Sequence, residues 1–167
     1  KRGAADLDFP APFGSTSADI NGFGALARVG FHIGDIIFLA ADGRYSRPQV
    51  KNDNYKANAT AYNYGATLGL QTPWVVSLRV WGTWIAGGEL DPEKDSNLDV
   101  KFTNGSGYRV GAGFKVAIVS LNLEYQHMEY GHSVLQKAGP FSPNQSFGNV
   151  NANNNSWIAS VSFPFGM

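Results

Sequence analysis

The residues best suited by type and spacing to hydrolytic chemistry are His127, Glu129, His132 and Ser133. A serine hydrolase needs a histidine within hydrogen-bond reach of its nucleophile and an acid that orients the ring. On a strand, His127 and Glu129 share a face and can touch, whereas the adjacent His132 and Ser133 point to opposite faces. No serine stands two residues from His127, so the group reads as rim residues and no catalytic residue is expected. The histidines at 32, 127 and 132 are too scattered for a ligand set, and no metal is expected. Asp91, Glu93, Asp95 and Asp99 form an acidic stretch whose default state is solvated. Gly111-Ala112-Gly113 opens no helix after a strand and is no phosphate loop. The chain has 0 cysteines, so neither a thiolate nor a disulfide is available. No cofactor is expected.

A second set of groups carries charge of both signs: Asp6, Asp8, Asp42 and Glu124 against Arg28, Arg44, Arg79, Arg109 and Lys115. Gathered in a narrow, poorly hydrated space, such groups are tolerated only as interlocked ion pairs. What could gather them is a sheet. The chain alternates polar and apolar residues by twos, and helical spacing is interrupted by Gly, Asn and Pro. Strands are expected over Gly3 to Phe9, 20–32, 36–47, 57–71, 74–88, 106–116, 119–132 and 155–166. Tight connections lie near Ile33-Gly34-Asp35, Gln71-Thr72-Pro73 and Ala117-Ile118, and long polar ones fill 10–19, 48–56, 89–105 and 133–154.

Splitting each strand by parity gives one greasy face and one poor in bulk. Phe23, Ala25, Ala27, Val29 and Phe31 oppose Gly22, Gly24, Arg28 and Gly30; Tyr108, Val110, Ala112, Phe114 and Val116 oppose Arg109, Gly111, Gly113 and Lys115. A soluble ligand-binding barrel would turn the greasy face inward and crowd the other with Lys, Glu and Thr. Here the second face is glycine, serine and isolated ions, which suits a narrow filled lumen, and the greasy face then meets lipid. Aromatic residues gather at the strand ends: Phe31, Trp74 and Phe165 at one rim, Tyr45, Trp84, Tyr108, Tyr125 and Trp157 toward the other, as interfacial girdles. No run of about 18 apolar residues exists for a membrane helix, and only a closed sheet satisfies its backbone in hydrocarbon. The expected fold is therefore all-β: a single domain over 1–167, a closed antiparallel eight-stranded up-and-down transmembrane β-barrel with three short periplasmic turns and four longer external loops. The start at Lys1-Arg2-Gly3 reads as a processed end. A formal net charge of +0 gives no field to attract nucleic acid.

The chain resembles the small OmpA/OmpX-type outer-membrane barrels in its eight strands, alternating short and long connections, and final Trp157-x-Ala159-x-Val161-x-Phe163-x-Phe165. That ending looks like the C-terminal signal read by the outer-membrane assembly machinery, although Pro164 interrupts it and Gly166-Met167 follow the last aromatic residue. The resemblance implies the outer membrane of a Gram-negative bacterium, both termini periplasmic, a monomer, and lipid bilayer and lipopolysaccharide as surroundings. The expected role is structural or surface-interacting around a plugged polar lumen, with recognition through the loops at 48–56, 89–105 and 133–154. It also implies an alternative, a small ion or solute channel gated by exchange of lumen salt bridges. A lipid-modifying enzyme is the weaker alternative, since the serine that barrel lipid A deacylases carry near their histidine is missing here.

Overall fold

In a computed structural model of the chain, residues 2–8, 15–52, 55–74, 76–93, 98–138, 145–147 and 151–164 are described, and among them there is no helix. The strands are β1 (Arg2–Asp8), β2 (Ser15–Ile33), β3 (Ile37–Asn52), β4 (Tyr55–Gln71), β5 (Val76–Pro92), β6 (Leu98–Val116), β7 (Val119–Ala138), β8 (Gln145–Phe147) and β9 (Asn151–Ser162). Neighbours from β1 to β7 pair antiparallel in chain order, β7 pairs with β9, and β9 returns to β1 to close a ring of eight. The short β8 pairs only with Ser133–Leu135 of β7.

The tight turns follow local chemistry. Gly34 takes a positive φ of 63° between β2 and β3, a conformation glycine adopts without strain. Between β4 and β5 the Ser77 hydroxyl donates to the Thr72 carbonyl at 2.8 Å, and Leu78 N–H donates to the Thr72 hydroxyl at 3.0 Å. Those bonds bring Thr72, Pro73 and Trp74 into the turn, so β5 begins at Val76 and not at 74 as expected. Likewise β9 stops at Ser162, leaving Phe163 and Pro164 beyond it; a proline contributes no N–H to a ladder.

On the opposite side the polar stretches at 48–56 and 89–105 are mostly strand, with β3 reaching Asn52, β5 reaching Pro92 and β6 starting at Leu98. The ring therefore continues past the apolar band as a tall rim. Its outer face carries the Glu89–Lys101 ion pair at 2.5 Å. A register shift at Tyr64/Gly65 leaves Ala86 as an extra residue opposite them, a β-bulge that reverses which face later residues of β5 present. Above it Gly88 and Leu90 point inward and are buried.

The outer surface is apolar: Phe23, Val29, Leu68, Leu78, Phe114, Leu121 and Val161 are all exposed. The only large apolar cluster inside is Ala59, Ala61, Ile85, Leu90, Phe102, Met128 and Tyr130, among the described residues. It lies in the half of the ring nearer the long connections.

The Lys101 ammonium, through its hydrogen bond, holds the Glu89 carboxyl below its ordinary pKa, with a smaller contribution from Tyr62. A carboxyl depressed in the folded state stabilises it above the unfolded pKa and loses that contribution as pH falls through the folded one. Being partly exposed, the pair is worth about 0.2–1 kcal/mol. Glu89→Gln should therefore lower the heat-denaturation midpoint at about pH 7, and the gap from the parent should close at about pH 3.

Candidate functional site: a charged cluster inside the barrel

The inward positions of six consecutive strands, β2 to β7, converge on one cluster. Register sets Arg28 opposite Asp42. The Arg28 guanidinium donates through Nε and Nη2 to Asp42 Oδ2 at 3.1 and 2.9 Å. The other oxygen, Oδ1, accepts from Arg44 Nε at 3.1 Å and from Arg109 Nη1 at 2.9 Å. One carboxylate thus holds three guanidinium groups. Glu124 takes Arg44 a second time, with Nη2 at 2.7 Å from Oε1 and Nη1 at 2.6 Å from Oε2, and its Oε1 also accepts from Trp81 Nε1 at 2.9 Å. The first of these Arg44 contacts is a hydrogen bond and the second a close ion contact, since Oε2 accepts no hydrogen bond.

Arg109 is fully buried, and neutral acceptors complete its shell: Asn63 Oδ1 at 2.9 Å and Gln126 Oε1 at 2.9 Å. Gly111 stands opposite both Trp81 and Glu124 in the ladders. A Cβ there would come within 2.6 Å of the Trp81 ring and 2.8 Å of Glu124 Cγ, so only glycine leaves room for the indole to reach the carboxylate. The Arg28 guanidinium lies 5.1 Å over the Trp81 ring, a cation–π contact that stabilises a desolvated charge.

Of the charged residues expected in the lumen, Arg28, Asp42, Arg44, Arg109 and Glu124 come together. Arg79 does not join them; its guanidinium lies 4.8 Å over the Phe38 ring and its buried Nε has no hydrogen-bond acceptor. Lys115 makes no ion pair among the described residues. The side chains of Asp6 and Asp8 lie outside the described residues, as do Phe165 and the side chain of Ser133. Asn63, Trp81 and Gln126 complete the site, and nothing in their types alone marks them.

Layers lie on either side of the cluster. Toward the short turns are hydroxyl and amide contacts, with Thr67 and Thr83 paired at 2.7 Å and Asn122 donating to Ser162 at 3.0 Å. Toward the long connections the Asn63 amide donates to the Met128 sulfur at 3.7 Å, and Met128 opens the apolar cluster. This upper layer corrects the expectation of a polar lumen: the bulge at Ala86 and the positive φ of 58° at Asn104 turn Leu90 and Phe102 inward.

The girdle residues lie at the rims. Phe31 and Trp74 are exposed at the short-turn end, and Tyr45, Trp84, Tyr108 and Trp157 are exposed higher up. Tyr125 meets Trp157 edge-on at 5.4 Å. Tyr62 and Tyr64, absent from the expected girdle, are exposed beside them. At the same level His127 has both ring nitrogens engaged, by Asn155 at 2.6 Å and Glu129 at 3.1 Å. His132 instead contacts Asn104 at 3.4 Å, so the two histidines do not share a site.

Removing one partner of a buried ion cluster leaves uncompensated charge and costs about 3–5 kcal/mol, whereas replacing both partners with apolar groups costs far less. Asp42→Leu should lower the unfolding free energy of the refolded barrel, read from urea titration, by an amount in that range, and Asp42→Leu combined with Arg109→Met should recover part of the loss.

Residues 3–165 match the family described as outer membrane protein beta-barrel domain. Among solved structures, the crystal structure of Neisserial surface protein A is similar at 19% identity and a TM-score of 0.46, over 98% of this chain and 94% of that one. No curated protein matches. With the match running over nearly its whole length, the chain belongs to the outer membrane protein beta-barrel domain family.

Proposed function

We propose that this outer-membrane barrel is a non-enzymatic protein whose lumen is plugged and whose contribution lies in its walls and external rim. The observation that carries this reading is the stacking of a charged layer and an apolar one. Asp42 and Glu124 tie Arg28, Arg44 and Arg109 across the bore, and the buried apolar cluster from Ala59 to Tyr130 lies directly above. Ions crossing the bore would have to break buried ion pairs and then enter an apolar layer, and both steps are strongly unfavourable. The short turns and both termini face the periplasm in this reading, the rim faces outward among lipopolysaccharide, and the last strand carries the signal for the assembly machinery. The loops at 48–56, 89–105 and 133–154 are the surfaces offered to the surroundings.

One observation favours a channel as the second reading. Arg28 Nη2 is 2.9 Å from Asp42 Oδ2 and 3.6 Å from Glu124 Oε1, so a small movement exchanges its partner. Planar-bilayer recording separates the readings. A plugged barrel gives no discrete steps, and Phe102→Ala with Leu90→Ala, which thins the apolar layer, should leave it silent while the charged layer stands. Discrete, salt-dependent openings in the parent, raised further by Glu124→Ala, would replace the plug with the gate.

A further inference from the structure

On the outer face of β6, β7 and β9 six side chains form one linked surface. Register sets Tyr108, His127 and Asn155 side by side, with Tyr125 beside Trp157 one outward position nearer the apolar band. Asn155 Oδ1 accepts from the Tyr125 hydroxyl at 3.0 Å and faces His127 Nδ1 at 2.6 Å, while His127 Nε2 is 3.1 Å from Glu129 Oε1. The Tyr108 ring lies 5.4 Å from the imidazole, and Tyr125 meets Trp157 edge-on.

Aromatic residues are ordinary at a membrane surface. A hydrogen-bonded chain of amide, imidazole and carboxylate on the lipid side of the wall is something more, and neither the bore nor the ring closure uses it. Its effect is to fix directions. Both imidazole nitrogens face oxygens, so the ring donates on either side and offers a substrate no lone pair. The Asn155 oxygen is occupied twice, which leaves the amide N–H groups as the donors at the other edge of that side chain. Glu129, 64% exposed, adds acceptor oxygen beside them. Trp157 and Tyr108 stay exposed as apolar platforms.

We propose that this surface is a binding site for the sugar headgroup of a membrane glycolipid. A pyranose has one face of C–H groups that packs on an aromatic ring, and hydroxyls that both donate and accept, as the amide and carboxylate together require. A phosphate only accepts, and Glu129 would oppose it; Arg2 stands on the far side of Trp157 in the ladder. The lipid source follows from what lies below. Leu121 pairs with Val161 and Leu123 with Ala159, and all four face outward toward hydrocarbon, so an acyl chain lying on them delivers its headgroup to Trp157. Tethering of this kind raises the local concentration of a weakly held group. The site depends on the barrel crossing a membrane and not on whether its lumen is plugged.

Nuclear magnetic resonance of the refolded chain in dodecylphosphocholine micelles tests this, with dodecyl maltoside added as the glycolipid probe. Trp74, exposed at the opposite rim, reports ordinary exchange of detergent headgroups. The Trp157 indole and His127 ring signals should shift together and saturate at a maltoside fraction at least about fivefold below that for Trp74. Glu129→Ala and Asn155→Ala, each in a barrel shown to be folded by heat-dependent gel migration, should bring the Trp157 response to that of Trp74. Equal responses of Trp157 and Trp74 in the parent would reduce the surface to interfacial aromatics and overturn the proposal. So would an unchanged preference in both variants, an equal effect of free maltose, which would make the site one for soluble sugar, or an equal effect of lysophosphatidylglycerol, which would make the recognised group a phosphate.

Discussion

Every feature of this molecule depends on the demand that a backbone crossing hydrocarbon find its hydrogen bonds within the protein. A sheet answers by closing, and closure of a ring this small fixes what the interior can be. A narrow bore has room for one layer of side chains, so each inward residue is chosen against its opposite number across the lumen. Gly111 leaves space, Trp81 uses it, and Glu124 receives both the indole and Arg44.

The charged cluster is best understood as wall-to-wall bracing. Its members come from six strands, and the pairs it makes are largely long-range in sequence, from Asp42 to Arg109 and from Arg44 to Glu124. Buried ion pairs of this kind add little net stability over an apolar packing of equal volume. They do penalise every register in which a partner is missing. Because a slip of one residue turns each inward ion outward into lipid, the cluster acts on specificity: it makes one stagger of the strands acceptable and neighbouring staggers costly.

Much of this was legible in the chain itself. Alternation separated the lipid face from the inner face on β2, β3, β5, β6, β7 and β9, and the inward parity of Arg28, Asp42, Arg44, Arg109 and Glu124 followed from it. Their convergence, and the separation of Arg79 and Lys115 from them, depended on strand tilt and stagger, which parity does not encode. The apolar layer was illegible for a related reason. Leu90 and Phe102 lie in a stretch rich in Asp, Glu and Asn that reads as loop, and they turn inward only through the bulge at Ala86 and the left-handed Asn104. Polar composition at 89–105 reported what the rim shows to water, not whether it was strand.

The tall rim gives the molecule two kinds of interior. In the membrane the apolar surface is outside and the ions are inside; above it, Ile85, Leu90, Phe102, Met128 and Tyr130 form a core of the soluble kind within the same strands. The lower part is held by a solvent, lipid, that it did not make, and its cohesion varies with bilayer thickness and fluidity. The upper part is driven together by water and carries the temperature dependence and heat capacity of hydrophobic burial. One continuous sheet thus straddles two solvents, and cooling or stiffening the membrane acts on its two ends through different physics.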